Sequence, residues 1–104
     1  MPLNQNHKVL SLIGLSMKAG KVESGGFCTE KAVKSGSARL VIISSEASEN
    51  TRKKFADMCE YRKIPWYVFG EKEELGHAMG KEFRATLAIT DENLAAAVKA
   101  QLGL

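Results

Sequence analysis

Glycines and lysines crowd the stretch from Lys18 to Lys31. Gly20, Gly25 and Gly26 punctuate it, and Lys21, Lys31 and then Lys34 carry the charge. The chemistry open to such a stretch is the holding of an anion. Glycine lets the backbone come close to a ligand. The free N–H groups and dipole of a helix start favour negative charge, which lysines reinforce. A phosphate-bearing partner fits that arrangement. The same glycines also suit a tight strand-to-helix turn that holds nothing, and the residues alone leave both readings open.

Catalytic chemistry has less to work with. No His-Glu-x-x-His, Gly-x-Ser-x-Gly, Walker loop or Gly-x-Gly-x-x-Gly occurs. Gly20-Lys21 looks like the end of a phosphate loop, but no glycine precedes it at the right spacing and no Ser or Thr follows. His7 and His77 are expected on solvated helix faces, so a histidine triad lacks support. Cys28 falls at a helix start, where a thiol pKa can drop, and is the one candidate nucleophile. Cys59 reads as a small core residue. The two cysteines lie in different predicted helices without a Cys-x-x-Cys, which argues against a disulfide scaffold and a zinc site. No catalytic residue, metal or cofactor is expected. The alternative is a small phosphate-ligand enzyme or regulator built on Gly25-Gly26, Lys31 and Cys28.

The elements that must position these residues follow from periodicity. Leu10, Ile13, Gly14 and Met17, widened by Val9 and Leu12, predict a helix from Leu3 to Ala19 that Gly20 ends. Lys21–Ser24 is a short strand, and a helix runs from about Gly26 to Ser35. The β-branched run from Arg39 to Ser44 is the pattern of a strand buried on both faces. Ser48 is the expected N-cap of a third helix reaching Lys63, with Phe55, Met58, Cys59 and Arg62 on one face. Within it, Arg52-Lys53-Lys54 reads first as a solvated face. Trp66–Phe69 is a strand, Glu71–Met79 a short helix and residues 80–85 a loop. Thr86–Ile89 is the last strand, and Thr90-Asp91 caps a final helix striped by Leu94, Val98 and Leu102. That stripe could dock a protein partner. Alternating helices and strands require a central, mostly parallel or mixed sheet covered on both faces. The fold class expected is α/β.

Length and charge bound the rest. The 104 residues predict one domain with a real core. No apolar run approaches the roughly 18 residues of a membrane span. The N-terminus, Met-Pro-Leu-Asn-Gln-Asn, has no leader pattern, so a cytoplasmic location and no membrane partner are expected. The net charge of +3 is uneven, with nine Lys/Arg against four Asp/Glu in residues 1–54 and six against eight in residues 55–104. Such asymmetry is the footprint of a polyanion partner.

Several separated strings then converge. Gly14-Leu-Ser-Met-Lys-Ala-Gly-Lys-Val-Glu-Ser-Gly25 and Lys31-Ala-Val-Lys-Ser-Gly-Ser-Ala-Arg-Leu-Val-Ile-Ile43 resemble the ribosomal L-seven-Ae and L-thirty-e superfamily. So do Lys63-Ile-Pro65, Glu74-Leu-Gly76, Gly80-Lys-Glu82 and Ala88-Ile89, while Glu46–Thr51 resembles its bacterial YlxQ-type branch. The resemblance spans residues 8 to about 93. It implies a three-layer α/β/α sandwich with a four-stranded mixed sheet that binds kink-turn or related bent RNA, ribosomal RNA among the candidates.

In that family the RNA lies on the start of the second helix and on the loop before the last strand. Of the signature Gly-x-Asn-Glu-x-x-Lys, Gly25 matches the glycine and Lys31 the phosphate-contacting lysine, while Lys21 matches a basic strand position. Glu82, Phe83 and Arg84 fall in the second RNA-facing loop. The polar pair of the signature is replaced by Phe27 and Cys28, which cannot supply the same hydrogen bonds. Phosphate positioning could therefore survive on Gly25, Gly26 and Lys31 without the family's base readout. Phe27 is expected to pack in the core, and Phe83, among Lys81, Glu82 and Arg84, to be exposed. Stacking of either ring on an unpaired base is the other possibility. Lys21, Lys31 and Arg84 are expected to share one cationic notch.

Overall fold

A computed structural model describes residues 2–103. Met1, on which part of the leader reading rests, lies outside the described residues. The elements are α1 (Pro2–Lys18), β1 (Val22–Ser24), α2 (Gly26–Ser35), β2 (Leu40–Ile43) and α3 (Glu49–Arg62). They continue with β3 (Trp66–Val68), α4 (Lys72–Ala78), β4 (Thr86–Ile89) and α5 (Glu92–Leu102). The strand order is β1-β4-β2-β3. β4 pairs antiparallel with both β1 and β2, and only β2 with β3 is parallel. The sheet is thus mixed, as the α/β reading allows.

Strand side chains alternate between faces, and this divides the core in two. Leu40, Ile42, Leu87 and Ile89 meet Val9 and Ile13 of α1, Leu75 of α4, and Ala95 and Val98 of α5. Val41, Ile43 and Ala88 meet Ala32 and Val33 of α2, and Phe55 and Cys59 of α3. Both central strands, β2 and β4, are buried along their whole length. Helices on each face complete three layers.

Termini obey their local chemistry. The Ser48 hydroxyl accepts the Thr51 N–H at the start of α3, and the Asp91 carboxylate accepts the Leu94 N–H at the start of α5. Leu94 and Leu102 pack onto the core around buried Val98, so the α5 stripe faces inward and offers no docking surface. On α3, Phe55 and Cys59 are buried but Arg62 is exposed, which narrows the expected apolar face. Among the described residues no helix is long and apolar enough to cross a membrane.

Candidate functional site

The start of α2 is held by backbone and threonine rather than by a cap. Gly25 occupies the N-cap position at φ 91°, with no side chain accepting from the first turn. Its own N–H donates to the Thr86 carbonyl at 2.9 Å, and its carbonyl accepts the Thr29 N–H at 2.9 Å. The N–H groups of Gly26, Phe27 and Cys28 have no acceptor among the described residues. They form an open helix end, of the kind that favours negative charge. Beneath them Thr86 Oγ1 donates to Thr29 Oγ1 at 3.2 Å, and Thr29 Oγ1 donates to the Glu23 carbonyl at 3.4 Å. Both threonines are fully buried. That chain of hydrogen bonds ties α2 to β1 and β4 at once.

The loop of residues 80–85 is set against this helix start by α4. Gly76 lies so close to the loop that a Cβ there would overlap the Glu82 carbonyl oxygen. The Lys81 N–H donates to the Gly76 carbonyl at 2.8 Å, and the Arg84 N–H donates to the Lys72 carbonyl at 3.1 Å. α4 is itself anchored, since the Glu46 carboxylate accepts the Lys72 N–H at 2.9 Å and the Glu74 carboxylate accepts the Glu71 N–H at 3.0 Å. The result is that the Arg84 side chain passes over Gly25, with its Cδ and Nε each 3.9 Å from where a Cβ would stand. Positive φ favours glycine at position 25, while the Arg84 atoms stand at ordinary van der Waals distance.

Two hollows flank that junction. One, of about 490 Å³, is lined by Phe27, Glu30, Lys31, Lys34 and Ser35. The other, of about 350 Å³, is lined by Glu73, His77, Lys81, Glu82 and Phe83. Phe83 is 66% exposed, as expected from its charged neighbours, but Phe27 is 80% exposed and does not pack in the core. The inward face of α2 is taken by Thr29, Ala32 and Val33, which points the ring at position 27 outward.

Charge is distributed unequally over the predicted residues. The Glu30 carboxylate binds Lys34 and Lys54, each at 2.8 Å. Hydrogen bonds from Lys34 first and Lys54 second hold its pKa down at about 2. Lys34 is therefore partly neutralised, whereas Lys31 has no ionic partner among the described residues. Lys53 pairs with Asp57 at 3.2 Å, so Lys53 and Lys54 turn to different carboxylates.

Lys21 does not join the cluster. It precedes β1 at the end where its carbonyl accepts the Thr90 N–H, and the register carries Gly25 to the Thr86 end. Those four residues of strand correspond to roughly 13 Å. Arg84 lies over Gly25, Lys31 lines the hollow beside Phe27 and Lys34, and Lys21 stands at the far end of β1.

Cys28 is half-buried, and Cys59 is buried. Burial first, and the nearby Glu60 charge second, push the Cys59 thiol up to about 11. His7 and His77 are both exposed. No group of three His, Cys, Asp or Glu side chains among the described residues could hold a metal ion. Sequence reasoning missed the parts played by Gly76, Glu46 and the Thr29–Thr86 pair. The one available signal was a glycine inside a short predicted helix, where it weakens the helix unless packing requires it.

Residues 7–99 match the model of the ribosomal protein L7Ae/L30e/S12e/Gadd45 family. The RNA-binding protein YlxQ of Bacillus subtilis (strain 168) is 39% identical over 84 residues, 81% of this chain and 84% of that protein. The RNA-binding protein YlxQ of Enterococcus faecium is 34% identical over 92 residues, 88% of each. A solved structure of a protein with unknown function from Bacillus halodurans superposes with a TM-score of 0.89 at 36% identity, covering 93% of this chain and 98% of that one. A Giardia lamblia 15.5kD RNA binding protein shares the fold, with a TM-score of 0.82 at 23% identity and coverage of 96% and 86%.

Proposed function

The chain belongs to the ribosomal protein L7Ae/L30e/S12e/Gadd45 family, and from that premise we propose that it is a non-enzymatic protein that binds structured RNA. Its RNA is of the kink-turn or a related bent kind, and its setting is cytoplasmic, on ribosomal or other noncoding RNA. The whole of residues 1–104 acts as one RNA-binding domain. The names of its YlxQ relatives support an RNA partner.

The observation that carries this reading is the placing of the Arg84 side chain over Gly25, in a loop of residues 80–85 that α4 holds beside the open start of α2. That loop thereby lies beside N–H groups that have no acceptor among the described residues, and Lys31, one turn further along α2, has no ionic partner among them. RNA backbone is gripped by the N–H groups of Gly26, Phe27 and Cys28 and by Lys31, with Arg84 reaching the same strand from above. Lys34 adds partial charge. Glu82 and Phe83 line the second contact, and Lys21 meets RNA only if the strand extends along β1. Contacts of this kind position a nucleic acid and carry little sequence information.

Lys31→Ala should weaken binding to every bent RNA by a similar factor and make the fall of log affinity with log salt shallower by about one unit. Filter binding or calorimetry across a salt series measures both. An unchanged slope would remove Lys31 from the phosphate contacts.

A further inference from the structure

Large apolar side chains exposed singly on a surface need no explanation, so Phe27 calls for one only because of where it stands. Of the exposed large apolar residues, Tyr61 has the Arg62 guanidinium 5.5 Å from its ring centre, and Leu15 lines a groove between α1 and α4. Phe83 lies in the loop of residues 80–85, and neither it nor Phe27 has a ring partner among the described residues, but Phe27 alone of the four is in α2. It stands in the first turn of α2, beside the N–H groups of Gly26 and Cys28 that find no acceptor. Lys31, one turn on, shares its face, and Lys34 lines the same groove of about 490 Å³. Glu30, the groove's carboxylate, is held by Lys34 and Lys54 and so is not a free anion.

Resting on the RNA-binding reading above, we infer that Phe27 is a stacking platform for one unpaired nucleobase, whose own phosphate sits on the start of α2 beside Lys31. The ring takes the flat apolar face and the surrounding cations and N–H groups take the charge. An apolar peptide would leave Lys31 and three amide donors without partners, so charge complementarity selects a nucleotide. Stacking reads the presence of a base and not its identity, since every base has a π-face. Recognition at this position therefore requires an unpaired base and tolerates all four.

The test uses the full chain and five versions of one bent RNA with a single unpaired nucleotide at the bend, carrying A, G, C, U or an abasic sugar. The unchanged protein should bind the four base-containing RNAs within about threefold of one another and the abasic one about tenfold more weakly. Phe27→Ala should lose about tenfold on the four and nothing further on the abasic RNA, and Phe27→Trp should keep the difference. Lys31→Ala should weaken all five and preserve the ratio. If Phe27→Ala binds all five like the unchanged protein, or keeps its sensitivity to the abasic sugar, the platform is overturned while RNA binding stands. If the unchanged protein binds none of the five, the RNA-binding reading itself falls. Ring exposure makes unfolding of Phe27→Ala an unsuitable excuse, and circular dichroism checks it.

Discussion

At the scale of single residues, small polar groups position the candidate site more than the lysines do. Thr29 links β1 to β4 through its hydroxyl, and losing that link leaves the buried Thr86 hydroxyl without its acceptor. Thr29→Val keeps the shape and should cost about 1–3 kcal/mol, read from urea unfolding; a loss under 0.5 kcal/mol would contradict the role of the pair. Glu30 gives a pH signature. Its folded pKa of about 2 lies below the ordinary 4.5, so the folded form binds fewer protons. Its contribution to stability is present above about 4.5 and is lost as pH falls towards 2. Between pH 5 and 3 at low salt the unchanged protein should lose more stability than Glu30→Gln, and added salt should shrink the difference because these pairs are partly exposed. Equal losses would show that the Lys34 and Lys54 bonds are not kept in solution. Of the thiols, Cys59 should resist an aqueous thiol reagent at neutral pH until the protein unfolds, since burial holds it at about 11.

At the scale of elements, the short helix α4 determines where the second loop lies. Gly76 is packed directly on the Glu82 backbone, so Gly76→Ala must displace the loop that carries Phe83 and Arg84. The expected cost is about 3 kcal/mol, with a loss of RNA affinity larger than Lys31→Ala produces. If Gly76→Ala left both stability and affinity untouched, the loop would not depend on α4. Element identities were legible in the sequence. The Val41–Ile43 run, the Ser48 and Asp91 caps and the glycines after the helices each express a local preference that tertiary packing did not override. What was not legible depends on contacts between remote segments. Nothing near Phe27 in sequence says that Thr29, Ala32 and Val33 take the inward face of α2 and leave the ring outside. The separation of Lys21 from Gly25, by contrast, was legible, since the strand expected over Lys21–Ser24 spans it by itself. Gly76 and Glu46 act only on partners distant in the chain, so their types alone carry no such message.

At the scale of the whole molecule, a three-layer core serves as a rigid mount, with two segments held edge to edge at one end of the sheet. β4 is central to this arrangement: its two neighbours are both antiparallel, and its first residue, Thr86, bonds the start of α2 through both backbone and hydroxyl. The positive balance of residues 1–54 is shared by α1, α2 and the start of α3, whereas the negative balance of residues 55–104 includes the α4 face. Specific recognition requires that the surface around the start of α2 fit a bend and not merely a density of phosphates. The most direct measurement is the affinity of the unchanged protein for a kink-turn RNA and for a straight duplex of equal length and charge, each followed over a range of salt. Tighter binding to the bent RNA is expected at every salt concentration, with log affinity falling linearly with log salt for both. Equal affinity for the two RNAs across the series would contradict it.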